Sequence, residues 1–245
     1  MQLLFIINAL KIIFILGFLV LIHETGHFIV ARLCKVKVKE FAIGFGPTIW
    51  KKQGKETKYA LRLIPLGGFV SMEGEEERSN KEGSFSNSSI PKRIAIVAAG
   101  GLVNIIFALI VYLILITVLT GDFTKALSST GNFAFAIVDS LKMLFSGGVS
   151  VDQLMGPVGI SSVVAQTSNL AEFVYILVVI SMSLGVTNLL PFPPLDGGKI
   201  VFLILEGIRK KPLKEETEIK IQMLGFAVLI ILSIYVTCND VTRIA

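Results

Sequence analysis

The sequence predicts an α-helical polytopic membrane protein: four transmembrane helices, a re-entrant β-hairpin or small sheet after the first, and a broken third helix. Three observations predict it. Of 245 residues, 53% are hydrophobic and only 17% charged, too apolar a balance for an ordinary soluble domain. Apolar stretches at about 3–31, 94–119, 170–190 and 221–237 have the length that crosses the hydrocarbon core of a bilayer. Between the first two, residues 36–72 change to period-two alternation, which reads as strand.

The first span holds the segment the chain is organised around, VLIHETGHF at Val20 to Phe28. On a helix His23 and His27 project from one face, four residues apart, so two imidazoles can meet one metal ion, and Glu24 adjoins the first. In that HExxH arrangement two histidines hold zinc and the glutamate deprotonates a metal-activated water. The bland alternative is a polar cluster bonded between helices. Against it, both histidines of the chain fall in the motif, and ionisable groups inside a membrane are expensive enough to need a function. Lys11, in the same span, reads as a side chain snorkelling to the outer interface. No basic region precedes the apolar run, which argues against a cleaved signal peptide.

In residues 36–72, KVKVKEFAIG and TKYALRLIPLGGFVSM alternate around the Gly-containing KKQGKE. GFGP at Gly44 to Pro47 and LGGF at Leu66 to Phe69 supply turns or close backbone approaches. This segment is either a solvated loop or a hairpin that dips back to the membrane and offers a strand edge to an extended peptide. The acidic EGEEER at Glu73 to Arg78 reads as solvated.

The second span opens with AAGG, Ala98 to Gly101, and carries Asn104; small residues permit tight helix contact, and Asn104 bonds across it or takes part in chemistry. The connection 121–150 is short, and Asn132 to Phe145 within it is amphipathic, suited to lying on a membrane surface. MGPVGISS, Met155 to Ser162, leads into the third span. That span ends in NLLPFPPLDGGK, Asn188 to Lys199, where three prolines and two glycines cannot continue a helix. Broken backbone at membrane depth persists only when buried in protein or lining a wet cavity. Asp196 sits in the break, as a turn residue, an N-cap or a ligand. Residues 199–220 read as basic and solvated. Cys34 and Cys238 are too few and too separated for a disulfide framework.

Lys and Arg number thirteen in 32–93, two in 121–150 and six in 199–220. The positive-inside rule places the first and third loops in the cytoplasm, with both termini outside. The same distribution accounts for the net charge of +5 without a nucleic-acid partner. It also sets His23, His27 and Asp196 at similar depth, toward the cytoplasmic side. Catalytic zinc needs three protein ligands and an open position, and the Asp196 carboxylate fits the vacancy left by two histidines.

As a set and in this order, HETGH, GFGP, LIPLGGFV, the small-residue span with Asn, GPVGI and NLLPFPPLDGG resemble the site-2 protease family, most nearly its bacterial RseP-type branch. The resemblance implies an intramembrane zinc metalloprotease of the bacterial cytoplasmic membrane. Its substrates would be single-span membrane proteins such as anti-sigma factors, or signal-peptide remnants, cut in or beside the bilayer. It implies zinc on His23, His27 and Asp196, catalysis by Glu24, substrate handling at Asn188, and a membrane re-entrant β-loop containing Gly44, Phe45 and Gly46. Two departures stand out: the connection 121–150 is far shorter than the PDZ domains that branch usually carries there, and Gly101 replaces a more usual proline. A rival reading is an ion or proton transporter with His23, Glu24 and Asp196 as a relay; the four spans show no paired repeat, and a relay does not need HExxH spacing.

Overall fold

The computed structural model describes residues 2–75, 77–146 and 155–244. Among them the order is α1 (Gln2–Leu33), β1 (Val38–Gln53), β2 (Lys58–Met72), α2 (Ile90–Thr120), α3 (Phe123–Phe145), α4 (Pro157–Ala165), α5 (Leu170–Asn188), α6 (Asp196–Arg209) and α7 (Glu215–Ile244). Four helical stretches, at 6–33, 90–120, 170–188 and 215–243, are long and apolar enough to cross a membrane. A helix is the natural form for such stretches, because in lipid every backbone N–H and C=O must find its partner within the segment. Two compact units result, one of residues 13–104 with 184–223, the other of 1–12, 105–183 and 224–245.

The first unit carries the HETGH motif. Here α1 ends in a Schellman turn: Lys35 takes a left-handed φ of 63°, Val36 N–H donates to Ala31 O and Lys35 N–H to Arg32 O. The chain then enters the sheet. Its register is more than a hairpin's, since each long strand bends: 38–43 pairs antiparallel with 68–72, 48–53 pairs antiparallel with 58–62, and 40–43 also lies alongside 58–61 in the same direction. The bend in β1 falls at Gly44 and Gly46, with φ of 86° and 83°, a region open to glycine at little cost. A Cβ on Gly44 would stand 2.6 Å from Ile64 O. Among the described residues, segment 68–72 pairs with a strand on one side only. Ala31, Val38, Val70, Ile96, Val97 and Leu203 form the core, which ties the end of α1, the sheet, the start of α2 and α6 together.

The basic stretch from Lys199 onward is helical to Arg209 and again from Glu215, and past Leu203 it is largely exposed, as expected. α6 presents Leu203 to the core and Glu206 to Arg93, whose two amino groups fork onto the carboxylate. The acidic segment at 73–78 is not all solvated: Lys39 pairs with Glu73 and Lys199 with Glu75.

In the other unit, the Lys11 side chain reaches the segment that leads into the third span. Its Nζ donates to Thr167 O at 2.9 Å and to Thr167 Oγ1 at 3.0 Å. The amphipathic helix expected over 132–145 begins earlier, at Phe123, where the Asp122 carboxylate accepts the N–H groups of Thr124 and Lys125 as an N-cap. The remainder of the connection, 147–154, lies outside the described residues. Asp240, 1% exposed, accepts the Gly159 N–H at 2.7 Å and so caps the start of α4 from α7. Asp240→Ala is expected to lower stability by about 1–3 kcal/mol, the cost of orphaning a buried donor. Thermal unfolding in detergent checks it, and an unchanged midpoint would show that the cap contributes nothing.

Candidate metal centre

The uninterrupted helix of α1 sets His23 and His27 one turn apart on one face. Their rings are 4.8 Å apart and nearly perpendicular, at 82°, and their Nε2 atoms converge to 3.2 Å. Asp196 is the first residue of α6. The N-cap is Leu195, and no side chain caps the helix, so the Asp196 carboxylate is free of the capping role that its place in the sequence suggested. Its Oδ2 lies 3.2 Å from His23 Nε2 and 3.3 Å from His27 Nε2.

The double glycine after Asp196 makes this placement possible. A Cβ on Gly197 would stand 2.2 Å from Leu190 O, and one on Gly198 would stand 2.8 Å from Pro193 N. The proline-rich break therefore folds directly over the first turn of α6, and only residues without a side chain fit beneath it.

Three donor atoms thus form a nearly equilateral triangle. Donors held about 2.0–2.1 Å from a tetrahedral zinc stand about 3.3 Å from one another, and the observed edges have that length. The His27 Nδ1 lies 2.8 Å from Ile96 O. A carbonyl only accepts, so Nδ1 carries the proton and Nε2 keeps its lone pair facing the centre, the usual outer-partner arrangement of a metal-binding histidine. Asp196 Oδ2 is buried and makes no hydrogen bond of its own, a costly situation without a cation nearby. The Asp196 carboxylate brings to the triangle the anionic oxygen that two neutral imidazoles lack. The donor set fits zinc.

Gly100, from the AAGG of α2, completes the fit. A Cβ there would lie 2.3 Å from His27 Nε2 and 2.7 Å from His23 Nε2, close to the distance at which a ligated ion sits. The neighbouring Gly26 has the companion role: its Cβ would meet Ala99 O at 2.6 Å, so the glycine lets α1 and α2 come close enough for the Ile96 hydrogen bond. Gly100→Ala is expected to weaken zinc binding by at least about tenfold, because the methyl competes for space with the ion. Competition against a chromophoric chelator measures this, and an unchanged affinity would put the ion elsewhere.

A cavity of about 270 Å³ opens on the triangle, walled by Glu24 and by Phe69 to Met72 of β2. Gly68 brings that strand in: a Cβ on it would meet Glu24 Cγ at 3.1 Å and Ala42 O at 2.9 Å. The arrangement places a carboxylate that holds no metal, three convergent donors and an edge strand around one space. Of the other residues singled out in the sequence, Asn188 ends α5 half-buried, and Gly44, Phe45 and Gly46 sit at the bend of β1. None of these four is in the wall of the cavity. Asn104 is fully buried.

A family model described as peptidase family M50 matches residues 11–232. The chain belongs to peptidase family M50. The site-2 protease resemblance carried by the motifs is thereby shown, and this M50 peptidase is a metalloprotease with multiple membrane-spanning helices. It is similar to a "Putative zinc metalloprotease" of Clostridium acetobutylicum, 29% identical over 329 residues that cover 96% of this chain and 97% of the relative. A protein of the same description from Fusobacterium nucleatum is 27% identical over 329 residues, covering 94% and 97%. "Zinc metalloprotease RasP" of Shouchella clausii is 43% identical over 115 residues, 46% of this chain and 28% of its own. The first two alignments are longer than the 245 residues of this M50 peptidase, so those relatives carry residues with no counterpart here.

Three residues of the site escaped sequence reasoning: Gly100, Glu75 and Lys199, all at or near the cavity. Gly100 carried a signal, since a Gly-Gly pair deep in a membrane span admits a ligand as readily as a helix. Lys199, three residues after Asp196, falls on the same face of a helix, which was legible only once that stretch was known to be helical.

Proposed function

We propose that this M50 peptidase is an intramembrane zinc endopeptidase that hydrolyses peptide bonds in or beside the transmembrane segments of single-span membrane proteins. Regulated proteolysis of anti-sigma factors and clearance of signal-peptide remnants are both of this kind. The observation that carries the reading is the convergence of His23 Nε2, His27 Nε2 and Asp196 Oδ2 beside the Glu24 carboxylate.

His23, His27 and Asp196 would hold the zinc. Bound there, zinc supplies Lewis acidity, which eases deprotonation of water near neutral pH and polarises a carbonyl. Glu24 takes the proton of the attacking water on its carboxylate and later delivers it to the nitrogen of the departing amine. A spanning helix keeps its carbonyls in its own hydrogen bonds, so the substrate has to unwind first. Segment 68–72, paired on one side only among the described residues and passing Glu24, offers replacement partners to an added strand. Asn188 and the Gly44–Phe45–Gly46 bend, outside the cavity wall, are assigned to substrate approach. The loop charges favour the bacterial cytoplasmic membrane, with both termini outside and the site toward the cytoplasm. The connection between the second and third spans is too short to hold a PDZ domain, so no filter of that kind stands at that place in the chain.

Comparing cleavage of a single-span reporter by the unaltered chain and by Glu24→Gln, in the same membranes, tests the proposal. Equal cleavage by the two would end it.

A further inference from the structure

Beside the metal cavity lies a second one, of about 310 Å³, that hydrolysis as described does not use. Glu75, Val97 and Lys199 line both cavities, and Lys199 Nζ is 3.1 Å from Glu75 Oε1. This ion pair is therefore part of the wall between them. Its two halves come from the elements that build the metal centre. Lys199 is one turn past Asp196 on α6. Glu75 follows the turn at Gly74, φ 73°, by which the chain leaves segment 68–72. The edge that passes Glu24 thus leads to the pair.

The second cavity is lined by ion pairs as well as by apolar side chains such as Phe85, Phe202 and Leu203, where a packing void would be apolar throughout. Its depth is occupied by Arg93 and Glu206, with side chains 9% and 18% exposed. Toward solvent stand Arg78 and Glu215, 38% and 49% exposed. Its volume is at the lower end of the range for ligand pockets. A peptide extended along 68–72 advances about 3.3 Å per residue, so a few residues carry it from Glu24 to the ion pair and onward into the charged space.

We propose that the second cavity is a subsite for the polar flank of the substrate, the residues that adjoin the scissile bond on the side leading out of the membrane. Glu75 and Lys199 part to admit it, each exchanging the other for polar groups of the peptide. The inference rests on the protease reading above, and names where a cut segment's charged neighbours go.

The test fills the subsite. Gln222, on α7, lines only the second cavity, and Gln222→Trp would occupy it. Purified protein is assayed on two reporters with the same membrane segment, one with its full polar flank and one ending a residue or two past the scissile bond. Gln222→Trp is expected to lower kcat/KM about tenfold on the full reporter, the loss equivalent to one good polar contact, and to spare the short one. Zinc content unchanged from the parent confirms an intact fold; if Gln222→Trp loses zinc, Glu215→Trp at the rim takes its place in the same comparison. Equal losses on both reporters, or none on either, would overturn the subsite. Failure of the protease reading is distinguishable, because then Glu24→Gln would cleave both reporters as the parent does.

Discussion

Glu24→Gln is expected to reduce reporter cleavage by at least ~10³-fold while zinc stays at one per chain. A positioned general base contributes typically 10²–10⁴-fold, and Glu24 serves twice, accepting a proton before attack and giving it up to the leaving nitrogen. Glutamine preserves size and polarity but takes no proton at neutral pH. The three donor atoms of the triangle belong to other residues, so the metal centre should be untouched. The measurement pairs metal analysis of the purified variant with a cleavage time course. Zinc lost along with activity would mean that Glu24 belongs to the ligand set, and activity retained would remove it from the chemistry.

Asp196→Asn is expected to strip the centre of its metal. The substitution keeps the shape of the side chain, so the fold of the proline-rich break over Gly197 and Gly198 should persist. What disappears is the anion. The site then holds two neutral imidazoles and a neutral amide against a divalent cation, and a third ligand that is weak and uncharged. The loss should exceed the 10–100-fold typical of removing an outer partner of a metal ligand, and should appear as zinc well below one per chain after brief exposure to a chelator. Cleavage should fall with it and recover in part with added zinc. Full stoichiometry in this variant would show that the third ligand is another residue.

Both expectations start from residues that could be read off the chain. HETGH is legible because its geometry is local: a helix by itself places residues four apart on one face. The four spans are legible for a similar reason, since length and apolarity answer directly to bilayer thickness. The alternation in 36–72 likewise announced strands, and the positive φ of Gly44 and Gly46 accords with the turns expected at GFGP. Where the sequence was silent or misleading, long-range contacts decided the outcome. Lys11 has an apolar neighbourhood in sequence and a hydrogen-bond acceptor 156 positions away. Glu75 stands in an acidic run that looks solvated, yet pairs with a lysine 124 positions on. The register of the sheet is of the same sort, because alternation specifies which face each residue takes and is silent on which segment lies alongside.

Asp196 marks the boundary between the two kinds of knowledge. Its residue type, its depth and the need of catalytic zinc for a third donor follow from composition, topology and coordination chemistry. That its Oδ2 stands 3.2 and 3.3 Å from the two imidazoles depends on backbone folding tightly over two glycines and on helices packed through Gly26 and beside Gly100. Such distances come from the mutual exclusion of atoms far apart along the chain, which no local periodicity encodes.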